Sequence, residues 1–86
     1  MMLTIKYFST SWCGPCKAFA PVFDSVMGST GVSYNKIDAE HSKDIALQYS
    51  ISSVPTLIFE KDGSVLHRHT GAMSRSQLEA TINKFR

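Results

Sequence analysis

Trp12-Cys13-Gly14-Pro15-Cys16-Lys17 follows a strand-favouring run and opens the strongest helical pattern in the chain, and the reading of this junction decides the fold. Upstream, Met2 to Phe8 (MLTIKYF) is rich in residues that favour strands, and Ser9, Thr10 and Ser11 end it. Downstream, Phe19, Val22, Phe23, Val26 and Met27 recur at the spacing of one helix face. Pro15 suits the first turn of that helix, Pro21 lies inside it and removes one backbone hydrogen bond, and Gly28 and Gly31 are the expected stop. Val32 to Ile37 (VSYNKI) reads as a second strand, and a helical crossover makes two strands parallel, so Met2 to Ile37 is a βαβ unit.

The remaining elements extend this unit. The stretch His41 to Tyr49 carries Ile45 and Tyr49 at helical spacing, with Asp38 placed to start it. Thr56 to Glu60 and Val65 to Thr70 are short strands joined through Lys61, Asp62 and Gly63, and an Asp-Gly pair is a favoured hairpin turn, which makes this pair antiparallel. Ser74 and Gln77 have the form of a capping box, with Leu78, Ile82 and Phe85 following on one helix face. The expected class is α/β, in the order β-α-β-α-β-β-α, with a four-stranded mixed sheet flanked by three helices. No repeat, linker or composition shift marks a boundary, and residues 1–86 are read as one domain.

Composition narrows the function. With 86 residues, 43% hydrophobic and 19% charged, the chain can bury one core. Its formal charge is +2 and its basic residues are scattered, so no footprint for nucleic acid is expected. The opening residues do not read as a secretory signal, and no apolar run approaches the ~20 residues of a membrane span. A cytoplasmic protein without a membrane role is the expectation.

Both cysteines lie within four residues, and a staple closing so small a loop constrains the unfolded chain little. The pair is therefore chemical. A helix N-terminus offers unpaired N–H groups and positive dipole, both of which stabilise a thiolate, so Cys13 is the expected nucleophile near neutral pH. Cys16, one turn on, can reach its sulfur. Cys13 would attack a substrate disulfide to give a mixed disulfide, and Cys16 would resolve it, leaving an intramolecular bridge. A C-x-x-C beside a βαβ pattern is itself a recognised sign of this chemistry. Two competing readings weigh less. Zinc needs about four ligands, and only His41, His67 and His69 could be added. Two inert core cysteines would be out of place beside Gly-Pro at a strand–helix junction. No metal is expected, and His67 and His69, alternating onto one strand face, read as solvated.

WCGPCK at Trp12 to Lys17, Pro21, SVPTLIFEKDG at Ser53 to Gly63 and GAMSRSQL at Gly71 to Leu78, in this order and spacing, resemble the thioredoxin family over nearly the whole chain. The resemblance implies a thioredoxin-like fold and a protein-disulfide reductase with Cys13 and Cys16 as its catalytic pair. It needs no cofactor beyond that redox-active disulfide. It also implies disulfide-containing protein substrates, a thioredoxin reductase as electron donor, and a monomer. Pro55 after Val54 would be the family's cis-proline facing the cysteines. Trp12, Gly14, Pro15, Val54, Pro55, Gly71 and Ala72 would form the patch that receives substrate, although Gly71 and Ala72 also read as a plain turn before a capped helix.

Two departures stand out. The sequence starts with the strand that leads into the cysteines, without the strand and helix usual before it, which leaves Val32 to Ile37 as an expected exposed edge. The family's buried aspartate, six residues before the first cysteine, and the lysine near it on the next strand are replaced by Tyr7 and Tyr34. A phenol with an ordinary pKa of about 10 is a poor base near neutrality, so Tyr7 is expected to pack rather than to catalyse. Together the two tyrosines are expected to replace a charge pair in a buried place. Two other readings remain open. A glutaredoxin-like reductase using glutathione suits the length but not the Gly-Pro between the cysteines. A non-catalytic binding subunit could use the same apolar patch.

Overall fold

The computed structural model describes residues 2–86. Strand β1 (Leu3–Ser9) leads into helix α1 (Gly14–Thr30), strand β2 (Ser33–Asp38) and the short helix α2 (Lys43–Gln48), and the hairpin β3 (Thr56–Lys61) and β4 (Ser64–Thr70) precedes helix α3 (Arg75–Phe85). The four strands form one sheet in the order β2-β1-β3-β4. β1 runs parallel to β2 and antiparallel to β3, and β4 is antiparallel to β3. The expected element order, the mixed sheet and the exposed β2 edge are all present.

Alternation along β1 sends its side chains to two faces. Leu3, Ile5 and Tyr7 join Phe19, Phe23, Val26 and Met27 of α1 and Leu78 and Ile82 of α3 in the larger core. Phe8 points the other way, packing with Ile58 and Ala46 of α2. β3 is central and covered on both sides, so every residue from Thr56 to Glu60 is buried. Its Leu57 and Phe59 serve the larger core and its Ile58 the smaller.

The element ends differ from the periodic pattern where local hydrogen bonding intervenes. α1 starts at Gly14 because Cys13 is its N-cap, and it runs through Gly28 to Thr30. A helical glycine costs about 1 kcal/mol, which the burial of Val26 and Met27 on the same turn offsets. Gly31 ends the helix in the left-handed region, at φ +69, with its N–H on the carbonyl of Met27. α2 is shorter than His41 to Tyr49 because Asp38 Oδ1 accepts the backbone N–H groups of Glu40 and His41, which holds those residues in a turn. The Asp62-Gly63 turn has both residues at positive φ, 51 and 78, as a tight hairpin requires. Ser74 and Gln77 form the capping box at the start of α3. His67 is not merely solvated: it is half-buried, with its ring 5.6 Å from Phe59 and stacked 5.4 Å from Phe85, because the last turn of α3 covers that end of β4.

Candidate functional site

The chain leaves β1 at Ser9, crosses Thr10 to Trp12 and enters α1, and this bend sets the cysteines at the helix start. Cys13 has an extended backbone, φ −83 and ψ 112, and its Sγ accepts the Cys16 N–H at 3.1 Å. This is a side-chain cap in which sulfur takes the place of the usual oxygen, and it aims the orphan donors and positive end of α1 at that sulfur. The two residues are joined as a disulfide with Cα atoms 5.2 Å apart. No acidic residue lies in the first turn of α1 to oppose negative charge on Cys13.

A cavity of about 720 Å³ opens beside the bridge. Cys13 lines it and Cys16 does not, which distinguishes the two sulfurs by their access to the groove. Of the residues expected to receive substrate, Trp12, Gly14, Pro15 and Val54 line this groove. Trp12 is 69% exposed. Val54 turns its carbonyl oxygen toward Cys13 Sγ at 3.7 Å, and the Val54–Pro55 bond is cis. Pro55 itself is buried and lies outside the groove, with its carbonyl accepting the Gly71 N–H at 2.7 Å. Gly71, at φ +100, and Ala72 form the turn before α3 and do not line the groove either; the Ala72 carbonyl faces His69 Nε2 at 3.3 Å.

The groove also has a wall that sequence reasoning did not anticipate. Ala39 and Glu40 from the β2–α2 turn, Lys43 and Ala46 from α2, and Ile51, Ser52 and Ser53 before Pro55 complete it. These positions carry no motif, and only the return of α2 over the sheet brings them to Cys13. Thr10 closes the near end, and its buried Oγ1 has no hydrogen-bond partner, so its hydrogen-bonding capacity is unspent. Asp38, Glu40 and His41 bring ligand-type atoms within 4.8 Å of one another, but on an exposed turn where Asp38 Oδ2 and His41 Nδ1 already contact at 2.7 Å.

Behind the bridge, Tyr7 is buried and donates its hydroxyl to the Cys16 carbonyl at 3.3 Å. Burial, with Asp24 adding to it, raises its pKa above the ordinary value, which removes it further from any role as a base. It packs, as expected, and it also makes this hydrogen bond. Tyr34 does not share the buried place expected for it. It lies opposite Ile5 on the edge strand, 42% exposed, and meets the core only edge-on at Phe23, 5.4 Å away. The residue opposite Tyr7 on β2 is Lys36, which is ion-paired to Asp24 at 2.6 Å.

Comparison with known proteins agrees with this architecture. The family model described as Thioredoxin matches residues 2–84. Thioredoxin from Chlamydia trachomatis is 40% identical over 83 residues, covering 95% of this chain and 81% of that protein. Thioredoxin H2-1 of Oryza sativa is 36% identical over 85 residues, or 98% of this chain, but the chain spans only 61% of that relative's length. The crystal structure of a thioredoxin from Nicotiana alata superposes with a TM-score of 0.94 at 32% identity, covering 99% of this chain and 74% of that one.

Proposed function

The chain belongs to the thioredoxin family and has its fold, and from that premise we propose that it is a dithiol–disulfide oxidoreductase that reduces disulfides of other proteins. One observation carries the reading: a C-x-x-C pair sits at a helix start, both residues largely buried, with the first sulfur capping the helix and edging an open groove that the second does not line. In the reduced protein the Cys13 thiolate attacks one sulfur of a substrate disulfide, and the other substrate sulfur leaves as a thiolate. Cys16 then attacks Cys13 Sγ, and the second substrate sulfur departs. Two electrons have passed to the substrate, and the cysteines are left as the disulfide seen here.

Substrate lies along the groove between Trp12 and Val54, where the apolar walls bury the chain flanking its disulfide. Pro55 and Gly71 act through the backbone, the first by presenting the Val54 carbonyl beside Cys13 and the second by bonding to the Pro55 carbonyl. The exposed Ala72 would touch only a partner large enough to reach beyond the groove. The remaining parts of the reading are a thioredoxin reductase as electron donor, no bound cofactor, and action as a monomer in the cytoplasm. In its favour, both cysteines belong to the exchange pair and none is left for a structural bridge. A radius of gyration of 12.0 Å equals the value of about 12 Å expected for one compact domain of this length.

The test is reduction of insulin by dithiothreitol, followed as turbidity. The protein accelerates it, Cys13→Ser abolishes the acceleration, and Cys16→Ser accumulates a mixed disulfide because the nucleophile remains without its resolving thiol. First alkylation at Cys16 would reverse the two roles. Rapid turnover by glutathione alone, or target binding undiminished in Cys13→Ser, would replace the proposal with a glutaredoxin-like or a non-catalytic role.

A further inference from the structure

Cys16 is buried, and behind it lies a phenol rather than an acid or a base. We propose that Tyr7 is a positioning residue for the second half of the exchange: by holding the Cys16 carbonyl, its hydroxyl keeps the resolving cysteine in register with Cys13 Sγ while that sulfur is bonded to substrate. The proposal rests on the exchange reading above.

In the closed bridge the two sulfurs restrain each other. In the mixed disulfide that restraint is gone, and the first turn of α1 depends on its own hydrogen bonds. That turn is weakly tied, because Pro21 has no N–H and the Lys17 carbonyl loses its helical partner. The Tyr7 hydroxyl supplies an anchor one residue earlier, from a strand rather than from the helix itself. The anchor is stiff: the Tyr7 ring stands edge-on to Phe19 at 5.6 Å and lies 4.6 Å from Phe23, both of α1, while β1 is paired with strands on both sides.

The surroundings also define what Tyr7 does not do. Opposite it stand Leu57 on β3 and Lys36 on β2, the latter engaged with Asp24 of α1, and Asp24 and burial both keep the phenol protonated. Tyr7 therefore offers Cys16 no proton acceptor, and the one carboxylate near it, that of Asp24, is engaged with Lys36. The Cys16 thiol loses its proton to solvent, its thiolate forms the bond to Cys13 Sγ, and the bond from Cys13 to the substrate sulfur breaks. The substrate sulfur leaves with the electron pair and takes a proton from water. Tyr7 exchanges no proton at any point.

Tyr7→Phe removes one oxygen and keeps the ring contacts. The reduced full chain, freed of reductant and in excess, is mixed rapidly with an aromatic bis(nitrobenzoate) disulfide, which releases a coloured thiolate first on attack by Cys13 and again on resolution by Cys16. In Tyr7→Phe the first release keeps its rate and the second slows about fivefold, the factor one ordinary hydrogen bond is worth. Both proteins show the same proportional rise of the second rate with pH, since solvent takes the proton in each. An unchanged second phase, equal slowing of both phases, or a pH slope altered by the substitution would each overturn the proposal and leave the exchange reading intact. Absence of any first release in the unsubstituted protein would instead remove that reading.

Discussion

The two faces of the sheet are built to different standards. On the face covered by α1 and α3, the larger cluster is apolar apart from the Tyr7 hydroxyl, and runs from Leu3 at one end of β1 to Met73 before α3. On the face covered by α2, the apolar cluster has just Phe8, Ala46 and Ile58 as buried members, and Ile37, Ala39, Ile45, Tyr49, Ile51 and Val54 are half-buried around them. That face also carries a polar network. Lys6 Nζ meets Glu60 Oε1 at 2.9 Å, Tyr49 donates to Glu60 Oε2 at 3.0 Å, and Arg68 reaches the Tyr49 carbonyl. The difference matters because the site uses both. The helix that starts at the cysteine pair is seated on the densely packed face, where geometry is held. The far wall of the groove, from Ala39 to Ile51, belongs to the lightly packed face, where a small loss of contact is enough to let it adjust.

The comparison breaks most readily by truncation in each face. Phe23→Ala opens a cavity where the side chain is fully enclosed and contacts Tyr7, Phe19 and Tyr34, and it is expected to cost about 3–5 kcal/mol in denaturant unfolding. Ile51→Ala, in the smaller cluster and in the groove wall, should cost about 1–2 kcal/mol, because its half-exposed site can refill with solvent, while its effect on insulin reduction exceeds that small loss. Equal costs for the two would show the faces to be equally built.

Much of the difference between the faces was legible beforehand. The apolar stripe from Phe19 to Met27 announced the densely packed helix, and the sparse pattern over Ile45 and Tyr49 announced a weaker one. The cysteine junction and the Asp62-Gly63 turn were read from chemistry that is local, since a cap or a tight turn is decided within four residues. The rest depended on contacts distant in sequence. Glu40 and Lys43 reach the groove only because α2 folds back beside Pro15, and Tyr34 is exposed because it sits on an edge strand opposite Ile5, whereas the family resemblance implied a buried neighbour of Tyr7. Register, which places Lys36 there instead, is a property of two strands and is not written in either alone.

The smallest expected effect sharpens the picture of the lightly packed face. The hydrogen bond to Asp38, with the attraction of its carboxylate, raises the pKa of His41, and the hydrogen bond from His41, with those from the backbone, lowers that of Asp38. Each shift stabilises the folded turn while both groups are charged. The His41 contribution is complete below its ordinary pKa of about 6.5 and is lost as pH rises through the raised folded value. The Asp38 contribution is complete above about 4 and is lost as pH falls through the lowered one. Both side chains are exposed to solvent, so the gain is slight and screened by salt. Amide exchange at Ala39 to Ser42, corrected for intrinsic rates, should therefore be slowest between about pH 4 and pH 6.5. A His41 ring that titrates at its ordinary value in the folded protein would show the turn to be held by the backbone bonds to Asp38 alone.

Trp12 gives the molecule an optical property that its core lacks. It is the sole tryptophan, and it stands largely in solvent at the groove mouth beside the cysteine pair. Its indole already meets water in the native state, so melting of the distant core changes its polarity little. Opening of the bridge, attachment of an adduct to Cys13 or arrival of a peptide in the groove alters what lies against it. Intrinsic emission from this chain is therefore a gauge of redox state and occupancy rather than of folding, and unfolding is better followed through the tyrosine signals of Tyr7, Tyr34 and Tyr49 or through far-ultraviolet dichroism.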